Sequence, residues 1–154
     1  MATEHAAAQA ALFAKMGFNM FQFGRSPGGG EFLRRLLADG KPNQMAEYPD
    51  KLKDLIQHLD GSAKVRAAPR TTGRPKLFSL GLGENSAVLA GILGIGYVFG
   101  HFIRPDRGVE AFRAYHDAFE PGFMEEPVAR ACVFVVCGEG DAVRVVDLAG
   151  RQRR

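Results

Sequence analysis

Apolar residues along this chain follow two rhythms that take turns. Leu52, Leu55, Ile56 and Leu59 recur at the helical period behind Pro49, a favoured first-turn residue, and predict a helix there. Val109, Phe112, His116 and Phe119 repeat that period further on. An alanine-rich stretch that Thr3 can cap carries Leu12 and Phe13 and stops near Gly17. Phe32, Leu33, Leu36 and Leu37 share one side of a short helix closed by Gly40, and residues 85–93 form a further helix. The second rhythm is the short near-continuous apolar run of a buried strand, at residues 18–23, 76–80, 95–99 and 128–137. Residues 61–75, rich in Arg, Thr and Pro, break both patterns and read as an exposed excursion.

Strands that alternate with helices imply parallel pairing under covering helices, an α/β class. Near-continuous apolar strands are what a sheet buried on both faces requires. Four strands make a small open sheet or a partial (β/α)8 TIM barrel; they are too few to close one.

At 154 residues, with 46% hydrophobic and 24% charged positions, the chain has the make-up of one globular domain. Its net charge of +3 leans on the terminal Arg151-Gln152-Arg153-Arg154 run. A solvated tail is not a basic folded face, so no nucleic acid partner is expected. The longest apolar run, residues 87–100, is too short and glycine-rich to span a bilayer, so no membrane partner is expected either. The N-terminus has no basic segment followed by an apolar run, which predicts a cytoplasmic location without a secretory signal. Cys132 and Cys137, five apart on a strand, point to opposite faces; they predict reduced core thiols and no metal.

The densest chemistry lies in Phe78-Ser79-Leu80-Gly81-Leu82-Gly83-Glu84-Asn85-Ser86-Ala87. An apolar strand runs into a glycine-flanked turn, and a polar cluster then opens an apolar helix. Glycine lets a backbone approach a bound group closely. The unpaired N–H groups of a helix start favour an anion. Together they predict a phosphate cradle, with Ser86 as a plain helix cap the competing reading.

Residues 78–102, with that turn and Gly96-Tyr97-Val98-Phe99-Gly100-His101-Phe102, resemble the bacterial-luciferase-like flavin-dependent monooxygenases. Phe23-Gly24-Arg25-Ser26-Pro27-Gly28-Gly29 resembles the exit of that family's fourth strand. Residues 109–121, with Tyr115 and Phe119, resemble its following helix, and residues 127–137 the strand after that. The likeness keeps the family's order over most of residues 4–138. It implies a partial barrel domain over residues 1–138 and a divergent, flexible tail over 139–154. It implies reduced flavin mononucleotide (FMN) as cofactor, with the deazaflavin F420 as the lesser choice. The implied reaction uses O2 to oxidise an aldehyde or other small organic substrate. Carried over residue by residue, Gly81, Leu82, Gly83, Glu84, Asn85 and Ser86 hold the flavin phosphate. Arg25 lies against the phosphate and ribityl chain, a task suited to a permanently charged fork. Gly100 stands beside the flavin ring, and His101 is the catalytic candidate at its face. All fall at the C-terminal ends of strands, where a barrel keeps its chemistry.

Other readings stay open at this point. Arg25 also fits a solvated loop, and His101 an ordinary strand end. Tyr97, Phe99 and Phe102 fit the core; His58 and His116 fit a surface or rim. The resemblance also implies a truncated member, because the first helix matches the one before the family's fourth strand. Open strand edges would then call for self-association or a partner chain. A second function class is an NADP-binding Rossmann-like module, with Gly81-Leu82-Gly83 before a helix and Arg104 after the next strand, although Ser86 replaces the third glycine. A third is a non-catalytic flavin-binding remnant or assembly subunit.

Overall fold

The computed structural model describes residues 3–18, 20–24, 45–64, 68–69 and 73–135. Arg25, the glycines at 28–30, the helix expected at 32–40, Cys137 and the tail at 139–154 lie outside the described residues. In chain order the elements are α1 (Thr3–Lys15), β1 (Met20–Gly24), α2 (Tyr48–Asp60), β2 (Lys76–Gly81), α3 (Glu84–Ile92), β3 (Gly96–Phe99), α4 (Gly108–Asp117) and β4 (Ala129–Ala131). Short 3-10 turns, Met45–Glu47 and Pro105–Arg107, lead into α2 and α4.

The four strands form one parallel sheet in the order β1-β2-β3-β4. Sequential order with helical crossovers is the winding of a (β/α)8 barrel, and the chain is an α/β arc of one. Register sorts the side chains into two faces. Phe21, Phe23, Leu77, Ser79, Tyr97, Phe99, Ala129 and Ala131 share the face toward the helices. Tyr97 stacks on Tyr115 of α4 at 5.7 Å, Phe99 meets Phe112 at 5.9 Å, and the Ser79 and Tyr48 hydroxyls lie 3.3 Å apart. Gln22, Phe78, Leu80, Val98 and Arg130 share the other face. There Arg130 spans from β4 to β1, donating to the Met20 sulfur at 3.3 Å and lying over the Phe78 ring. Three strand spacings amount to about 14 Å in a flat sheet. Side chains rise off the sheet, so this contact requires it to curl toward that face.

Each helix shows why its residues form it. In α2, Leu52 and Leu55 are buried and Ile56 and Leu59 pack against them, the stripe that the spacing predicts. Pro49 sits in its first turn, and Gly61 ends it in the left-handed region, φ 85°, with its N–H on the Gln57 carbonyl. In α1 the buried face is Ala6, Ala7, Ala10 and Ala11, small enough for close approach to α2. Leu12 and Phe13, the expected anchors, stay exposed.

The buried face of α4 is rotated from the expected one. Ala111 and Tyr115 are fully buried, with Phe112 and Phe119 packed alongside, while Val109 and His116 are exposed. Tyr115 qualifies for the core because its hydroxyl donates to Ile95 O at 3.1 Å and accepts from Val128 N–H at 3.0 Å. The fourth strand is shorter than expected, and Cys132 beyond it is exposed, so this thiol is not a core residue. His58 on α2 is half-buried.

Candidate functional site

Parallel register brings three strand exits together. Gly24 lies beside Leu80, Gly81 beside Phe99, and the Gly100 N–H donates to Gly81 O at 2.9 Å. The turn at residues 81–86 and the pair Gly100–His101 therefore share one end of the sheet. Arg25 itself is outside the described residues, although Gly24 before it reaches the same end.

The turn is tied at one carbonyl. Gly83 O accepts the first helical bond from Ala87 N–H at 3.2 Å, the Ser86 hydroxyl at 2.7 Å and the Tyr97 hydroxyl at 3.2 Å. The two hydroxyls are themselves 3.3 Å apart. Burial pushes the Tyr97 phenol above its ordinary range, partly offset by its bonds to Ser86 and Gly83. It is therefore a neutral donor at physiological pH. This bonding makes Ser86 a structural clasp as well as a residue at the anion-favouring helix start.

The two turn glycines have different causes. A Cβ at Gly81 would overlap the Ser86 hydroxyl and Cβ and come within 3.1 Å of the Tyr97 ring, so Gly81 makes room for Ser86. Gly83 is extended, φ 177°, and a Cβ there would meet nothing within 4 Å. Its outer side is open. The first N–H groups of α3, which follow Gly83 directly, have no acceptor one turn back in the helix. Leu82 is partly exposed and packs over Gly100, where a Cβ would come within 2.6 Å of its side chain.

Charge at the turn comes from a residue that sequence reading passed over. Arg107, at the end of the second 3-10 turn, donates to the Glu84 carboxylate at 2.6 Å, with both side chains about half exposed (46% and 47%). The pair cancels Glu84 at the helix start and keeps a guanidinium beside it. Arg104, the candidate for a nucleotide 2′-phosphate, is instead 3.5 Å from Asp106. Its bond holds the Asp106 carboxyl below the usual range. No local pattern separates Arg104 from Arg107; only the turn's path does.

His101 is exposed, with its ring 6.4 Å from the Phe99 ring and no side-chain hydrogen bond among the described residues. It borders the turn at the same end of the sheet. Tyr97 and Phe99 are fully buried core residues, and Phe102 is half-buried. Among the described residues no three His, Cys, Asp or Glu side chains are grouped to hold a metal. No helix among them is long and apolar enough to cross a membrane. A doubly wound nucleotide-binding sheet places its ligand where strand order reverses. This sheet has no reversal among the described residues, which counts against the Rossmann-like reading.

No protein-family model matches the chain. It is 44% identical over 126 residues to the uncharacterized protein YceB of Bacillus subtilis, an alignment covering 77% of this chain and 38% of that protein. It is 30% identical over 112 residues to the N-acetyl-S-alkylcysteine monooxygenase of Bacillus subtilis, covering 67% of this chain and 34% of the relative. It is 25% identical over 122 residues to a luciferase-like monooxygenase of Escherichia coli, covering 77% and 36%. The crystal structure of apo-MsnO8 superposes with a TM-score of 0.71 at 25% identity, over 84% of this chain and 41% of that one. The chain thus spans little more than a third of the curated relatives' length. What the comparisons establish is kinship, over that span, with proteins named as monooxygenases and luciferase-like.

Proposed function

We propose that this chain is a luciferase-like flavin-dependent monooxygenase segment whose turn at residues 81–86 receives the phosphate of FMN. The observation that carries the reading is the turn itself. An open Gly83 backbone, the free N–H groups of α3 and the Arg107 guanidinium meet at the C-terminal end of the sheet, on a fold shared with proteins named as monooxygenases.

The donors suit a dianionic phosphate. Backbone N–H groups and the helix dipole favour it, and Arg107 offers a fork that matches its oxygens. Glu84 opposes it, but its charge is already committed to Arg107. Gly81, Leu82 and Asn85 contribute backbone and Ser86 its hydroxyl, with Tyr97 able to keep Gly83 O satisfied if Ser86 turns outward. By the family resemblance Arg25, next in sequence after β1, is a further phosphate ligand, Gly100 stands beside the ring, and His101 is the group at hand for the substrate side. Reduced flavin supplies two electrons, so one atom of O2 enters a small organic substrate and the other leaves as water. F420, with its own phosphate, is the lesser alternative. The strand edges at β1 and β4 are completed by a second copy or a partner chain, and the protein acts in the cytoplasm.

Titration with FMN, riboflavin and NADPH, followed by flavin fluorescence and calorimetry, tests this. FMN is expected to bind roughly tenfold or more tightly than riboflavin, which lacks the phosphate. Gly83→Val should erase that preference. Equal binding of riboflavin, or tighter binding of NADPH, overturns the reading.

A further inference from the structure

We infer that the cleft at the opposite end of β2 is a second ligand site, built for a small zwitterion of amino-acid or dipeptide size. This goes beyond the flavin reading and does not depend on it. The cleft is an open depression of about 380 Å³. It opens beside Lys76, the first residue of β2, whereas the phosphate turn follows the last. Five strand steps put the two about 17 Å apart.

Part of its wall is apolar and fixed. Phe123 and Met124 are buried, Pro75 and Val128 flank them, and Met124 N–H is held on Gly94 O at 2.7 Å. Arg74 is fixed as well: one guanidinium nitrogen donates to Phe123 O at 3.1 Å, and the group lies 4.3 Å over the Phe123 ring. A guanidinium has five N–H groups, so most of its donors remain for a ligand carboxylate.

Four charges line this space: Arg74 and Lys76 against Glu125 and Glu126. None of them forms an ion pair within 4.0 Å among the described residues. Two cations and two anions around one apolar wall complement a molecule that carries both charges on an apolar body. A simple anion would meet Glu125 and Glu126, and a simple cation Arg74 and Lys76. The zwitterion is the class that satisfies both.

The test is calorimetric titration of the full chain with leucine and glycyl-leucine, against N-acetyl-leucine (carboxylate only) and leucinamide (ammonium only). The zwitterions should bind saturably and each one-charge analogue roughly tenfold or more weakly. Lys76→Gln and the double change Glu125→Gln, Glu126→Gln remove side chains with no ion pair among the described residues, so the melting curve should stay in place while zwitterion binding weakens several-fold. Arg74→Gln should weaken it further. FMN titration of the same variants should be unchanged, which separates failure here from failure of the flavin reading. No saturation by about 10 mM, equal binding of the one-charge analogues, or parental affinity in all the charge variants overturns the inference.

Discussion

Gly81→Ala examines the geometry of the turn at residues 81–86 most directly. The backbone there is outside the left-handed region, so alanine is not refused on conformational grounds. It is refused by space, since the new methyl would overlap the Ser86 hydroxyl and press on the Tyr97 ring. Forcing one carbon into a packed site costs about 1–3 kcal/mol. Ser86→Gly removes the obstructing atoms. Alone it should cost about 1–2 kcal/mol, from one lost hydrogen bond and a poorer helix former. In the double variant the methyl has room, so its stability should lie near that of Ser86→Gly instead of at the sum. Urea unfolding of the parent, both single variants and the double variant gives the coupling, expected at about 1 kcal/mol or more. In melting temperature each kcal/mol is worth about 2–4 °C for a chain this size. Penalties that add within about 0.5 kcal/mol would show that Gly81 and Ser86 do not compete for the same space.

Three further outcomes are expected. Tyr115→Phe orphans Ile95 O and Val128 N–H in the core and should lower stability by about 1–3 kcal/mol by urea titration, with the sheet intact by circular dichroism. Burial raises the phenols of Tyr97 and Tyr115, so the unfolded chain loses these protons first as pH climbs. Their contribution is complete below pH ~10 and fades as pH rises through the folded values; Tyr97→Phe should flatten that alkaline decline in melting temperature. Arg107→Ala breaks a half-exposed pair and should change stability by no more than about 1 kcal/mol, while weakening FMN binding and its salt dependence.

Most elements could be read because their signals are local. Pro49, the stripe from Leu52 to Leu59 and Gly61 specify α2 within fourteen residues, and α2 runs from Tyr48 to Asp60. The near-continuous apolar run at residues 76–80 anticipated β2, whose Leu77, Phe78 and Ser79 are buried on both sides. The turn glycines were visible too, but not their separate causes. Gly81 answers to Ser86 and Tyr97, and Tyr97 arrives from the next strand.

Hydropathy misjudged the helices wherever packing rewards something other than greasiness. Ala6, Ala7, Ala10 and Ala11 form the buried face of α1 because small residues admit close approach, and Leu12 and Phe13 are left outside. Tyr115 enters the core because two backbone groups satisfy its hydroxyl. Cys132 was misplaced because β4 ends at Ala131.

Alone, the sequence determined the kinds of element, their order and the glycine-flanked turn after β2, since helix and strand periods and turn glycines act over a few neighbouring residues. Tertiary structure decided which arginine stands at that turn, which hydroxyls close it, and which uncommitted charges gather around the cleft at the other end of β2. Those choices join residues 11 to 49 positions apart, and only the path of the folded backbone sets such distances.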